Sequence, residues 1–111
     1  MKQMLPTPSQ HYGLAMFNFD QRYANGTAGE AYGHLGDTYG FTSAITYFPY
    51  ANVAMAVATN LEEGQGAPSE VHCLAYNRIL DALQGVDPPR QCRYVSGSYY
   101  GGGCQCDASH V

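Results

Sequence analysis

Phe41-Thr42-Ser43-Ala44-Ile45-Thr46-Tyr47-Phe48, then Pro49-Tyr50-Ala51-Asn52, then Val53-Ala54-Met55-Ala56-Val57-Ala58-Thr59 is the stretch that decides the fold. Its first eight residues are rich in β-branched and aromatic side chains, which fit a pleated, half-buried surface and predict a strand. Pro49 presets its own φ and Asn52 tolerates the left-handed region, so residues 49–52 predict a turn. Val53 to Thr59 follows at once, and the two runs predict an antiparallel hairpin. Their small side chains suit a sheet covered by a helix.

Downstream, Pro68 to Leu83 predicts that helix. Proline suits the first helical position, Glu70 complements the N-terminal dipole, and Gly85 with Pro88 marks the stop. Val71, Leu74, Ala75, Ile79, Ala82 and Leu83 share one broad face, predicted to lie on the sheet. Upstream, Tyr12 to Phe19 alternates in part and predicts a strand. Asn25-Gly26 falls in a longer loop from Gln21 to Glu30, and Ala31 to His34 predicts another strand. The expected fold is therefore α+β: an antiparallel sheet of about three strands with one C-terminal amphipathic helix packed on it. Residues 88–111 are expected to form an irregular tail, because Pro88-Pro89 and Gly101-Gly102-Gly103 disfavour regular structure.

A chain of 111 residues buries one core at most. Charged residues make up 13%, well below the usual quarter, so the surface is expected to be neutral and polar. Five Lys and Arg against a net charge of −4 exclude a phosphate-tracking surface, and no nucleic acid is expected as partner. The apolar run Val53 to Ala58 is far short of the roughly 20 residues that span a bilayer, so no membrane span is expected. Met1 to Pro6 carries no apolar stretch of signal-peptide length. Cys73, Cys92, Cys104 and Cys106 allow three fully paired connectivities, and their even number is compatible with an oxidising compartment.

Several short motifs carry more specific information. In order they are Tyr12-Gly13-Leu14, Gly33-His34-Leu35-Gly36, Gly40-Phe41-Thr42-Ser43, Pro49 and Ala58-Thr59-Asn60, followed by the amphipathic helix. Each is weak alone, but their order and spacing resemble the final third of the serine β-lactamase-related superfamily, in particular the class C-like branch with esterases and penicillin-binding proteins. The resemblance runs from Tyr12 to about Leu83. It implies that residues 1–87 are the C-terminal segment of a β-lactamase-related domain, with a partial β-lactamase/transpeptidase-like fold.

It also implies roles. His34-Leu35-Gly36 matches the third active-site motif, usually Lys-Thr-Gly, which lies on an edge strand beside the nucleophile. His34 would act as a cation or hydrogen-bond donor toward the anionic intermediate. Gly36 would leave room for the substrate's acyl group, and the Asp37 N–H would be one of two oxyanion donors. The Asp37 carboxylate departs from the pattern, since a negative charge there opposes an oxyanion unless it turns away. The substrate would be a small acyl compound (an ester, amide or lactam), hydrolysed without metal or cofactor.

The nucleophile is missing. Family catalysis needs Ser-x-x-Lys, and the single lysine here is Lys2. The chain therefore reads as a fragment of a serine hydrolase, inactive alone and serving a substrate only in a full-length context. The alternatives are a non-catalytic secreted interaction domain and a truncated product without independent function. An exposed sheet edge would favour self-association in any of these cases. The family and the cysteines favour a secreted or periplasm-like location.

Other candidates reduce to structural readings. Tyr23-Ala24-Asn25 and Tyr50-Ala51-Asn52 both spell the second family motif, but they fall in a loop and a turn. Ser43 lacks the Gly-x-Ser-x-Gly elbow. Cys92, Cys104, Cys106 and His110 offer four soft ligands, yet Cys-x-Cys is tighter than the usual zinc knuckle, so disulfides are preferred and no metal is assigned. His11 reads as a loop residue, His72 as a helix-surface residue, and Cys73 as a helix residue with no identifiable partner.

Overall fold

A computed structural model describes residues 11–61, 66–96 and 102–107. Its elements in chain order are β1 (Phe17–Asn18), β2 (Tyr32–Thr38), β3 (Phe41–Phe48), β4 (Val53–Thr59), α1 (Gly66–Gln84), β5 (Cys92–Val95) and β6 (Gly103–Cys106). The class is α+β. The main sheet is antiparallel in the order β1-β2-β3-β4, so it has four strands rather than about three, and β5 pairs with β6 in a second, two-stranded sheet. α1 is accordingly not the last element. No helix is long and apolar enough to cross a membrane among the described residues.

The hairpin β3–β4 occupies the predicted residues. Asn52 takes φ 52° in its turn, the left-handed conformation that its short polar side chain tolerates. Thr42, Ala44, Thr46 and Phe48 are buried, while Phe41 and Ile45 are exposed, as a half-buried strand requires. The register Thr42↔Thr59 is closed by a hydrogen bond between the two Oγ1 atoms at 2.7 Å, and Thr42 Oγ1 also donates to the Leu61 carbonyl at 3.0 Å.

The predicted strand over 12–19 shrinks to two residues. Gly13 N–H donates to the Met16 carbonyl and Ala15 takes φ 59°, so the chain turns sharply and bridges Tyr12 back to Phe17. β2 instead runs on to Thr38, because β3 offers it a partner at every residue.

The helix buries a different face from the one its apolar residues predict. Ser69, His72, Cys73, Tyr76, Asn77, Leu80 and Asp81 are buried, a stripe at clean helical spacing. Val71, Leu74 and Leu83 stand exposed at 42%, 44% and 64%. Partners from the rest of the chain explain the choice. Phe48 stacks on Tyr76 with ring centroids 3.7 Å apart, and the Tyr76 hydroxyl donates to the Ala28 carbonyl at 2.8 Å. Asn77 Nδ2 donates to the Tyr23 carbonyl at 2.7 Å, and Asp81 accepts from Arg90 Nε at 2.7 Å and Arg90 N–H at 2.8 Å. The bonds of Tyr76, Asn77 and Asp81 offset the cost of burying them, while Ser69 Oγ and the two His72 nitrogens are buried without a hydrogen-bond partner.

The expected irregular tail contains the β5–β6 hairpin. Disulfides Cys73–Cys104 and Cys92–Cys106 choose one of the three connectivities and give Cys73 a partner. The first ties the hairpin to α1, and the Glu70 carboxylate, beyond the first helical turn, accepts the Tyr94 N–H at 2.7 Å. Bridges lower the entropy of the unfolded chain, which offsets the weak local propensity of this stretch. Gly101 and His110 lie outside the described residues.

Candidate functional site

Alternation along β2 sorts the predicted site residues onto different sides. His34 pairs with Ile45 and Gly36 with Ser43, and all four share the sheet face opposite α1. Asp37 pairs with Thr42, whose side chain is buried toward α1, so the Asp37 carboxylate belongs to the other face. The carboxylate thus turns away from His34.

His34 is exposed, but its ring is held at both nitrogens. Nδ1 lies 2.6 Å from the Leu35 carbonyl, which only accepts, so Nδ1 carries the proton. In the neutral ring Nε2 then accepts from the Tyr12 hydroxyl, 2.7 Å away. Tyr12 and Phe17 meet the ring edge-on, with centroids at 5.6 and 5.1 Å. The sharp turn at Gly13 to Met16 delivers this tyrosine. Tyr12 is the residue that reasoning from sequence left without a role, and the signal was Tyr12-Gly13-Leu14 itself, 22 positions upstream of His34.

The glycines have a reason inside the fold. A Cβ at Gly36 would collide with Ser43 Oγ, and one at Gly33 would run into the Ile45 carbonyl. Gly33 is therefore required by the backbone of the neighbouring strand, whereas a Cβ at Gly36 needs only the Ser43 hydroxyl to rotate away.

Among the described residues β1 pairs with Tyr32 and Gly33 of β2, and no strand pairs with the outer edge beyond Gly33. Ala31 turns its carbonyl outward to accept Phe19 N–H at 2.9 Å, and the Leu35 carbonyl is likewise free of the ladder to accept from His34. Polar backbone groups alternate along a strand, so the Asp37 N–H faces the same outer edge.

The residues set aside as structural do not join this site. Ser43 shares its face but has no base, since both His34 nitrogens are engaged elsewhere. Tyr23 is buried in the core, and Asn52 accepts the Tyr47 hydroxyl within the β3–β4 turn at 2.9 Å. Tyr32, next to the site, has its hydroxyl pushed up to about 12 by burial, by the hydrogen bond it donates to Glu30 and by nearby Asp20, so it stays protonated. His72 departs from its expected surface position: it is wholly buried against Tyr23 and Phe48.

Concave surface lies elsewhere, along the disulfide hairpin. A cavity of about 250 Å³ is bounded by Tyr23, Asn77, Leu80, Arg90, Cys104 and Cys106. No protein family, curated protein or solved structure matches the chain.

Proposed function

We propose that the chain is the substrate-side segment of a serine β-lactamase-like acyl-transfer hydrolase, with a partial β-lactamase/transpeptidase-like fold, and that it is inactive without a Ser-x-x-Lys nucleophile. The observation that carries this is the outer edge of β2, which no strand among the described residues pairs with beyond Gly33, and where the outward Asp37 N–H lies three residues from an exposed, oriented His34. In the reaction a serine hydroxyl attacks an ester, amide or lactam carbonyl laid along this edge. The Asp37 N–H donates to the developing oxyanion together with a second N–H at the nucleophile. His34 donates to the same intermediate once substrate displaces the Tyr12 hydroxyl and Nε2 carries a proton. Water then releases the acyl group from the serine. The displaced Asp37 carboxylate supports the assignment by removing the repulsion it would otherwise exert.

The uncovered sheet face is a second support: Phe41 and Ile45 are each 55% exposed there. The two disulfides support an oxidising compartment. They also favour the alternative of a non-catalytic secreted module, because they staple the chain to itself.

A fluorophosphonate or penicillin probe is expected to leave the 111-residue chain unlabelled. Extended by upstream coding sequence that contains Ser-x-x-Lys, it should become labelled and hydrolyse short acyl esters. His34→Ala in the extended protein should lower kcat by roughly 10²-fold, the scale of losing one oxyanion-side group. An extended protein that neither labels nor turns over would sink the reading.

A further inference from the structure

We infer that the reduced chain binds one soft divalent cation of the zinc class through the thiolates of Cys73, Cys92, Cys104 and Cys106. Stapling the hairpin requires two bridges but does not require sulfurs of different bridges to converge. Here they do: the Sγ atoms of Cys92, Cys104 and Cys106 all lie within 4.8 Å of one another, and Cys73 is bonded to Cys104. Tetrahedral zinc with bonds of about 2.3 Å separates its sulfurs by roughly 3.8 Å. Once the two bridges are reduced, Cys92, Cys104 and Cys106 are already grouped to take an ion, and Cys73, which is not one of the three converging sulfurs, must turn from its place beside Cys104 to complete the tetrahedron.

The ligands stand on regular elements. Cys104 and Cys106 share one face of β6 by the two-residue period, Cys92 is opposite Cys106 in the ladder, and Cys73 comes from α1. The narrow Cys-x-Cys spacing that argues against a knuckle is natural for two ligands on a strand. Around them lies a shell suited to thiolates. Asn77 Nδ2 is 3.2 Å from Cys104 Sγ and is itself held by the Tyr23 and Cys73 carbonyls, while Arg90 donates to Asn77 Oδ1 at 3.3 Å. The Asn77 amide, once one of its two N–H groups turns from a carbonyl to the Cys104 thiolate, and the nearby guanidinium would stabilise the negative charge that four thiolates leave on the site. The cavity lined by Cys104, Cys106 and Arg90 gives an ion and a reductant a way in.

The chemistry balances with a phosphine reductant. Each disulfide gains two electrons and two protons, and the phosphine becomes its oxide with oxygen from water. Ion binding then releases the four thiol protons to solvent.

The full chain, reduced anaerobically with a phosphine, is titrated with Co²⁺ and followed by absorption and circular dichroism. Expected are the d–d bands of tetrahedral thiolate-bound cobalt, saturating at one ion per chain and displaced by Zn²⁺, with a metal-dependent rise in the Tm of the reduced protein. The oxidised chain should show no such bands. Cys73→Ser, Cys92→Ser, Cys104→Ser and Cys106→Ser should each weaken binding by roughly ten-fold or more, and Asn77→Ala should weaken it while all four sulfurs remain. Substoichiometric binding, a spectrum unchanged by Cys104→Ser, or binding that leaves the reduced chain no more folded would each overturn the proposal.

Discussion

His34 and His72 show what one residue type becomes in two environments. His34 gains two hydrogen bonds at the edge of the sheet. His72 is packed among aromatic rings, and neither of its nitrogens completes a hydrogen bond. Burial holds the His72 pKa below its ordinary 6.5, while the facing carbonyls of Pro68 and Met55 pull weakly the other way. The unfolded chain therefore takes up this proton at a higher pH than the folded one does. Stability from neutral His72 is present above about pH 6.5 and is lost as pH falls toward the depressed folded value. Urea midpoints measured from about pH 8 down to about pH 5 should fall, and His72→Gln should flatten that part of the profile. An identical slope in the variant would show that other groups cause the loss. Nothing adjacent in sequence marks His72 as buried, because its contacts come from the loop at Tyr23 and the strand at Phe48.

At the level of elements, α1 is the instructive case. Its extent was legible from Pro68, Gly85 and helical periodicity, but its buried face was not. Two stripes at 3.6 spacing coexist, one apolar through Val71, Leu74 and Leu83, the other mixed through His72, Tyr76, Asn77 and Asp81. Hydrophobicity favours the first, and partners select the second. Asp81 is the clearest instance: its side chain is 2% exposed, and that of its partner Arg90 28%. Arg90→Ala would leave the carboxylate with only the residue 90 N–H, and should destabilise the protein by about 3 kcal/mol, the low end for breaking a buried pair. Arg90→Lys should recover little, because one ammonium cannot bond both Asp81 and Asn77 in the same geometry. Chemical denaturation measures both, and a wild-type midpoint in Arg90→Ala would show that the pair contributes nothing. Within the candidate site, the first half of β2 was readable from sequence, but its continuation through Gly36 and Asp37 to Thr38 was not. The Tyr12 clamp and the side taken by Asp37 needed the turn and the strand register.

For the whole molecule, the distribution of uncovered surface matters most. β4 is an outer strand of the main sheet, and Ala54, Ala56 and Ala58 are exposed on the face away from α1. A flat edge with small apolar side chains is a template for pairing with another strand. The chain should associate with itself as concentration rises, by sedimentation velocity, and Ala56→Lys should shift it toward monomer by placing a charge at that edge. A wild-type protein that stays monomeric at high concentration would rule out this edge as a contact.

Sequence by itself determined the strands β3 and β4, the span of α1 and the α+β class, because two-residue alternation, turn chemistry and helix stops act between neighbours. Tertiary structure alone decided the buried face of α1, the disulfide pairing, the order in the tail and the Tyr12–His34 contact. Those interactions join residues 9 to 54 positions apart. Which distant groups meet depends on how the sheet, helix and hairpin pack around one core, and local periodicity carries no record of that packing.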